Sequence, residues 1–269
     1  MRSQQKNLVR RAFDRAAPTY GSAAHVQDAA AQRLLAFTRT QSLPAHVRRV
    51  LDAGCGIGQS LPALSAFFPH AQCIALDFSA AMLAHASRAA CVSHLICADI
   101  ERLPLSDASI DFYWSSLAFQ WCSPEATARE IFRVLSPGGV ARIATLGPRT
   151  LHELRTAFRA VDDGVHVIDF ITAEHWLAVS EAAGFTVQFH SHETLFDSAA
   201  DLRTLLGNIK AIGARTVTNQ QRRHSLGRKG WQALQTAYEA FRCPDGTLPA
   251  TYDLILLALK KPVCFNPRP

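Results

Sequence analysis

The chain has 269 residues, 48% of them hydrophobic and 19% charged, with a formal net charge of +6. That balance fits one globular domain with a full core, or one domain carrying an inserted lid, and excludes a disordered or fibrous chain. The basic character (pI near 9.1) points to an acidic partner or substrate, without by itself indicating nucleic acid.

From the N-terminus, residues 6–37 read as two helices broken near Pro18. Leu8, Ala12 and Phe13 give a first apolar stripe, and Val26, Ala30, Leu34 and Phe37 a second. Between them runs Phe13-Asp14-Arg15-Ala16-Ala17-Pro18-Thr19-Tyr20, with Gln27 seven residues further on. Strands are expected at 48–53, 72–77, 92–98, 110–115 and 140–146, and helices at 59–68, 79–90 and 123–135 between them. Ser79 and Ser123 suit N-cap positions, and Leu135-Ser136-Pro137-Gly138-Gly139 ends the third of these helices and turns into the fifth strand. Strands separated by helices mean βαβ units and a mostly parallel sheet. Further on, helices are expected at 150–161 and 172–183, a sixth strand at 185–190, helices at 199–212 and 230–241, and a strongly apolar last strand at 251–259.

This reading gives a seven-stranded α/β fold in a single domain spanning 1–269. Lid helices occupy about 6–40, the core about 46–190 and 249–260, and a helical cap about 191–248. The cap segment is too long for a simple connection, and it is expected above the carboxyl ends of the strands, where open α/β sheets bind ligands. Seven cysteines scatter without CxxC pairs or Cys/His ligand spacing, so no metal is expected and a reduced, cytoplasmic setting is the simpler account. No apolar stretch reaches the ~20 residues of a membrane span, and the N-terminus lacks the apolar region of a signal peptide.

The chain is organised around Val50-Leu51-Asp52-Ala53-Gly54-Cys55-Gly56-Ile57-Gly58. A buried strand runs into a glycine loop and then a helix, the layout that brings backbone N–H groups close to a ligand. The loop reads Gly-x-Gly-x-Gly rather than the dinucleotide Gly-x-Gly-x-x-Gly, and Asp52 stands two places before its first glycine. A pyrophosphate gains nothing from a carboxylate beside it, whereas a cationic sulfonium with a free amino group does. Ile74-Ala75-Leu76-Asp77 ends in a second acid where such folds hold a ribose, and a third apolar run ends at Asp99-Ile100. The three features together resemble the class I S-adenosylmethionine (SAM) methyltransferases, with their Rossmann-like sheet.

Longer strings resemble one family more narrowly. They are Ser115-Ser116-Leu117-Ala118-Phe119-Gln120-Trp121-Cys122 after the fourth strand and Thr145 to Arg155 after the fifth. His166-Val167-Ile168-Asp169-Phe170, Leu205 to Ala214 and Gly246 to Tyr252 complete the set. With Phe13 to Tyr20 and Gln27, these resemble the malonyl-[acyl-carrier protein] O-methyltransferases of biotin synthesis over nearly the whole chain, from about Lys6 to Lys260. The chain departs from that pattern at Arg149, where a glycine is expected, and at Ile168, where an asparagine is.

The resemblance implies methyl transfer from SAM to the carboxylate of a malonyl thioester on acyl carrier protein, or on coenzyme A. It places Asp52 at the SAM amino group, with Gly54 and Gly56 allowing close approach. Asp77 falls at the ribose, Met82 at the adenine face, and Asp99 with Ile100 at the adenine edge. Leu117 falls beside the cofactor, Gln27 at its carboxylate, and Tyr20 over the methyl group. A carboxylate is already ionised at neutral pH, so alignment and dehydration are needed rather than a base. Arginine is the usual bidentate partner of a carboxylate. His152, Arg155 and Arg159 share one helical face, opposite an expected core stripe of Leu151, Leu154, Phe158 and Val161, and Arg155 is the candidate for the malonyl group.

Lys210, Arg215, Arg222, Arg223, Arg228 and Lys229 form a basic segment suited to an acidic carrier protein. No heptad or large apolar stripe suggests an oligomer, so a monomer is expected. The alternatives are methylation of another small carboxylic acid or a quinone, a non-catalytic SAM-binding protein, or nucleic-acid binding. Against the last, Ser115-Ser116-Leu117-Ala118 stands where amino-group methyltransferases carry Asn/Asp-Pro-Pro-Tyr, and no basic-aromatic platform is evident.

Overall fold

The computed structural model describes residues 3–211 and 226–263. Its centre is a seven-stranded sheet in the order β3-β2-β1-β4-β5-β7-β6. The strands are β1 (Arg49–Ala53), β2 (Gln72–Asp77), β3 (Val92–Cys97), β4 (Ile110–Ser116), β5 (Leu135–Leu146), β6 (Thr186–Ala199) and β7 (Leu248–Lys260). The first five pair in parallel, and β7 runs antiparallel between β5 and β6. Helices α4 (Leu61–Phe67), α5 (Ala80–Ala86) and α6 (Pro124–Val134) form the crossovers, and α7 (His152–Phe158) and α8 (Ala173–Ala182) follow β5.

The apolar runs explain the layering. Val50, Leu51, Phe112, Tyr113, Trp114, Ile143 and Leu254 to Leu257 are buried, as strands covered by helices on both faces require. The strand order reverses direction between β1 and β4, so the loops leaving these two neighbours diverge and open a crevice at their carboxyl ends. Over this crevice lie α1 (Ser3–Ala16) and α2 (Tyr20–Ala23), while α3 (His25–Arg39) lies against the sheet. The buried Arg142 of β5 donates to the Ser42 carbonyl and ties the segment after α3 to the sheet.

Two strands are longer than the sequence suggests. β6 continues from the expected 190 to Ala199, because the polar run His190-Ser191-His192-Glu193 lies on a half-exposed edge strand paired along its length with β7. Residues 191–199 therefore belong to the sheet and not to the cap. The described cap begins after β6 and consists of α9 (Leu202–Ala211) and α10 (Gly227–Glu239), between two neighbouring strands. β5 starts at Leu135, five residues early, through an irregular pairing with Ile110 where a helix-ending turn was expected. Ile212, Gly213, Ala214, Arg215, Arg222 and Arg223 lie outside the described residues.

Candidate active site

The first glycine turn is shaped by what lies behind it. Gly54 has φ +76°, and a Cβ there would sit 2.4 Å from the Ala118 Cβ in the segment after β4. Only glycine meets both demands. The Gly54 and Cys55 amides donate to the Leu76 carbonyl, at 2.7 and 3.0 Å, which locks the loop to the end of β2. There Asp77 accepts from the Gly56 amide at 3.0 Å and from the Ser79 amide at 2.8 Å, one bond to each oxygen. Each oxygen keeps a lone pair for a further donor. Burial pushes the Asp77 carboxyl up to about 6, against the lowering effect of those two amides.

Gly54, Gly56, Asp77, Met82, Asp99, Ile100 and Leu117 line one narrow cleft, together with Tyr20. Asp52 is 2% exposed and is not part of that lining; its Oδ2 is buried without a hydrogen-bond partner. Desolvation, reinforced by Asp77, raises the Asp52 carboxyl to about 8. A buried acid with a free oxygen awaits a cationic donor. Gln27, with Oε1 buried and unpartnered, lines the neighbouring cavity rather than the cleft.

That neighbouring cavity is the larger, about 640 Å³, and its walls are mostly apolar. Leu146, Leu151, Leu154, Phe158 and Trp231 line it, with Arg203 and Lys210 of α9 among them. Phe13, Tyr20, Leu117 and Trp121 line both spaces and so form their junction. Phe13 packs edge-on against Trp121, with centroids 5.9 Å apart, and lies 6.4 Å from Tyr20. Leu117 holds φ 53°, a strained value for leucine, while its amide donates to the Ala144 carbonyl of β5.

Arg155 is not brought to this cavity. Its guanidinium donates to the Ile168 carbonyl and to Asp169 Oδ1, both at 3.1 Å, and the face of α7 expected to be core stripe lines the cavity instead. The helix is short, and its start is turned by the left-handed Leu151 at φ 54°. The expected core stripe is borne out, since Leu151 and Leu154 are buried in one cluster with Tyr252, Leu254 and Leu256 of β7, and Phe158 and Val161 pack against it. Leu151, Leu154 and Phe158 also border the cavity. The two departures from the family pattern also find places. Arg149 pairs with the buried Asp253 at 2.9 Å, and Ile168 lines the cavity while its carbonyl receives Arg155.

The sequence reading missed Lys6. Its ammonium lies 2.5 Å from Asp99 Oδ2 and 2.7 Å from Glu101 Oε2, fastening α1 across the cleft. Burial lowers the Lys6 pKa, but its hydrogen bonds to Asp99 and Glu101 outweigh this and the net shift is upward. Asp14 adds a second tie, accepting from the Ser79 hydroxyl at 2.6 Å. Lys6, Val9 and Phe13 all line the cleft, and their i, i+3, i+7 spacing is the signal that finds them.

The residues present fit SAM. Two carboxylates, Asp77 and Asp99, line the cleft, and Lys6, which also lines it, is already held by Asp99 and by Glu101 beside it. Unpartnered buried oxygens lie on the cleft at Ser116, on the cavity wall at Gln27 and Gln120, and two residues before Gly54 at Asp52; such acceptors suit an ammonium or a sulfonium and not a pyrophosphate.

Comparison with known proteins agrees. A family model described as "Methyltransferase domain" matches residues 51–143. The malonyl-[acyl-carrier protein] O-methyltransferase of Dechloromonas aromatica (strain RCB) is 41% identical over 256 residues, covering 95% of each chain. The biotin biosynthesis bifunctional protein BioHC of Cellvibrio japonicus (strain Ueda107) is 38% identical over 262 residues, 96% of this chain and 50% of that protein. Among solved structures, a methyltransferase-fold protein of Bacillus halodurans C-125 superposes with a TM-score of 0.60 at 17% identity, covering 86% of this chain and 99% of that one. The sheet order, the acid-lined cleft and near full-length identity agree: the chain belongs to the malonyl-[acyl-carrier protein] O-methyltransferase family of SAM-dependent enzymes.

Proposed function

We propose that this chain converts the free carboxylate of a malonyl thioester on acyl carrier protein to its methyl ester, an early step of biotin synthesis. The observation that carries this reading is the meeting of an acid-rich cleft and a larger apolar cavity, with cations on its wall, at one aromatic junction. When bound, SAM supplies a methyl group on a sulfonium, and the products are S-adenosylhomocysteine and the malonyl methyl ester.

On the donor side, Asp77 is suited to the ribose hydroxyls and Asp52 to the amino group. Met82 and Ile100 suit the adenine faces, and Asp99 its edge. At the junction, Phe13, Leu117 and Trp121 keep water away from the place where a cation and an anion meet and cancel. Dehydration there strengthens their attraction and removes the shell of water from the attacking oxygen. Tyr20 offers a neutral phenol: burial and then Asp77 hold its pKa above the ordinary value, so it donates a hydrogen bond and takes up no proton. No general base is needed, because a malonyl carboxylate is ionised at neutral pH. On the acceptor side, Arg203 and Lys210 are the cations on the cavity wall, and they replace Arg155 as the candidates for the malonyl carboxylate.

The test is transfer of labelled methyl from SAM to malonyl-carrier protein, with malonyl-coenzyme A, acetyl-carrier protein and free malonate run alongside. Label in a base-labile ester on malonyl thioesters, and none on the acetyl form, is the expected result. SAM binding with no transfer to any malonyl thioester would overturn the reading.

A further inference from the structure

Helix α9 turns one face to the acceptor cavity, formed by Arg203, Leu206, Gly207 and Lys210 at i, i+3, i+4 and i+7. A glycine in the middle of that face needs a reason, because inside a helix it costs about 1 kcal/mol relative to alanine. The usual reasons are absent. Gly207 is an ordinary helical residue without a left-handed φ, and a Cβ built on it meets no described atom within 4 Å. Neither backbone strain nor close packing against a described residue calls for glycine here. What the glycine leaves is space, on the cavity side, between two cations.

Those cations stand two turns apart along the helix, about 10 Å by helical rise. Arg203 is placed with its guanidinium 5.4 Å from the centroid of the Trp231 ring, which also lines the cavity. The helix here therefore presents a shallow lane: a bare backbone floor over Gly207, Arg203 with Trp231 against it at one end, and Lys210 at the other. Backbone amides inside a helix are already paired, so the floor selects by width and not by hydrogen bonding. A thin, flexible chain of methylenes and amides that ends in an anion is the shape that fits.

We propose that Gly207 is a specificity-determining position, and that the pantetheine-type arm of the acyl thioester runs along α9 over it on the way to the junction. This rests on the reading of the substrate as a carrier-bound malonyl thioester. Arg203 and Lys210 stand at the ends of the lane, and the one nearer the junction meets the anionic acyl end.

The experiment compares Gly207→Ala and Gly207→Leu with the wild type on malonyl-carrier protein, malonyl-coenzyme A and a high concentration of free malonate, with SAM affinity and melting temperature measured on each. Gly207→Ala is expected to melt at or above the wild type, since alanine favours the helix. Both variants are expected to bind SAM within about twofold of wild type, since the cleft is elsewhere. The leucine variant is expected to raise KM for both thioesters at least about tenfold, and to leave turnover of free malonate near wild type. Wild-type kcat/KM on thioesters in the leucine variant would overturn the lane, as would an equal loss on thioester and free malonate. If the leucine variant melts early, Gly207→Ser carries the same comparison. Wild-type enzyme inactive on every malonyl thioester would instead sink the function proposed above and the named occupant with it, a result distinct from activity that survives the leucine.

Discussion

The cofactor cleft and the acceptor cavity share four side chains at their junction and are otherwise built on different plans. The cleft is tight, about 70 Å³, and most of its lining follows β1, β2, β3 and β4 within a few residues, with α1 closed over it. The cavity is about 640 Å³ and gathers its walls from α7, the segment at 166–170, α9 and α10, far apart along the chain. Charge divides the same way, with carboxylates around the cleft and Arg203 and Lys210 on the cavity wall. A reaction that joins a cation to an anion is served by holding each on a side of matching chemistry and drying the place between. The difference teaches that donor recognition resides in strand-end turns, while acceptor recognition resides in whatever the chain inserts above them.

Glycine gives the sharpest test of that contrast, because Gly54 stands against neighbouring atoms and a Cβ on Gly207 meets none among the described residues. Gly54→Ala forces a Cβ into Ala118 at a positive φ, and the expected cost is about 3 kcal/mol, or roughly 10 °C in melting temperature, with SAM binding lost. Differential scanning calorimetry and titration of SAM read both. An unchanged melt would show that the loop relaxes more than its hydrogen bonds to Leu76 allow. Next in size is Asp77→Ala. It removes two sites for charge-assisted hydrogen bonds, and SAM affinity is expected to fall about 100-fold by titration calorimetry while the acceptor cavity keeps its shape.

Asp52→Asn probes the same cleft through pH. Its folded pKa of about 8 lies above the ordinary carboxylate value, so between about pH 4 and 8 the folded protein holds a proton that the unfolded chain has released. Stability without cofactor is therefore expected to fall as pH rises through that window, with Asp77 adding the same sign up to about 6. Asparagine should flatten most of the slope. An ammonium donor favours the ionised carboxylate, so SAM binding at pH 7 should release a proton in the wild type, lose most of that release in the variant, and weaken about tenfold. Calorimetry in buffers of differing ionisation heat counts the proton.

How legible each half was in the sequence follows from its plan. Asp52, Gly54, Gly56, Asp77, Asp99 and Ile100 are fixed by short strand–turn–helix spacing, and a local pattern survives in one dimension. Arg155 shows the opposite. Its helical face was read correctly as a row of charges, but which face meets the cavity depends on where β7, α9 and the 166–170 segment lie, which no local period records. β6 was shortened for a related reason: an edge strand with polar residues on its exposed face loses the apolar run that marks a buried strand. Gly207 carries no signal either, since a glycine within a helix pattern reads as a weak point until the lack of described neighbours beside it is seen.

Lys6 lies between the two halves in effect as well as in place. Its pairs with Asp99 and Glu101 hold α1 over the cleft, and α1 also carries Phe13 to the junction. Lys6→Met keeps the length of the stem and removes the charge. SAM affinity is expected to weaken about threefold to tenfold, mostly through faster release, because partly buried pairs of this kind contribute on the order of 1 kcal/mol. Stopped-flow displacement of SAM reads the rate. A variant with unchanged release would mean that the Asp14–Ser79 bond and the packing of Phe13 on Phe78 and Trp121 hold α1 without Lys6.

The smallest effect is expected at Arg155, and it discriminates between the two accounts of the acceptor side. Arg155 is half-buried, its partner Asp169 has a side chain 92% exposed, and neither lines the cavity. Such an exposed pair contributes little, so Arg155→Ala should change kcat/KM for malonyl-carrier protein less than about threefold. Lys210→Gln or Arg203→Gln should raise KM about tenfold with kcat nearly kept, as loss of a cation that holds the carboxylate equally before and during transfer requires. The reverse ranking, with Arg155→Ala the damaging change, would mean that α7 turns on substrate binding and delivers its charged face to the cavity. The basic acceptor side would then include α7 as well as the cap.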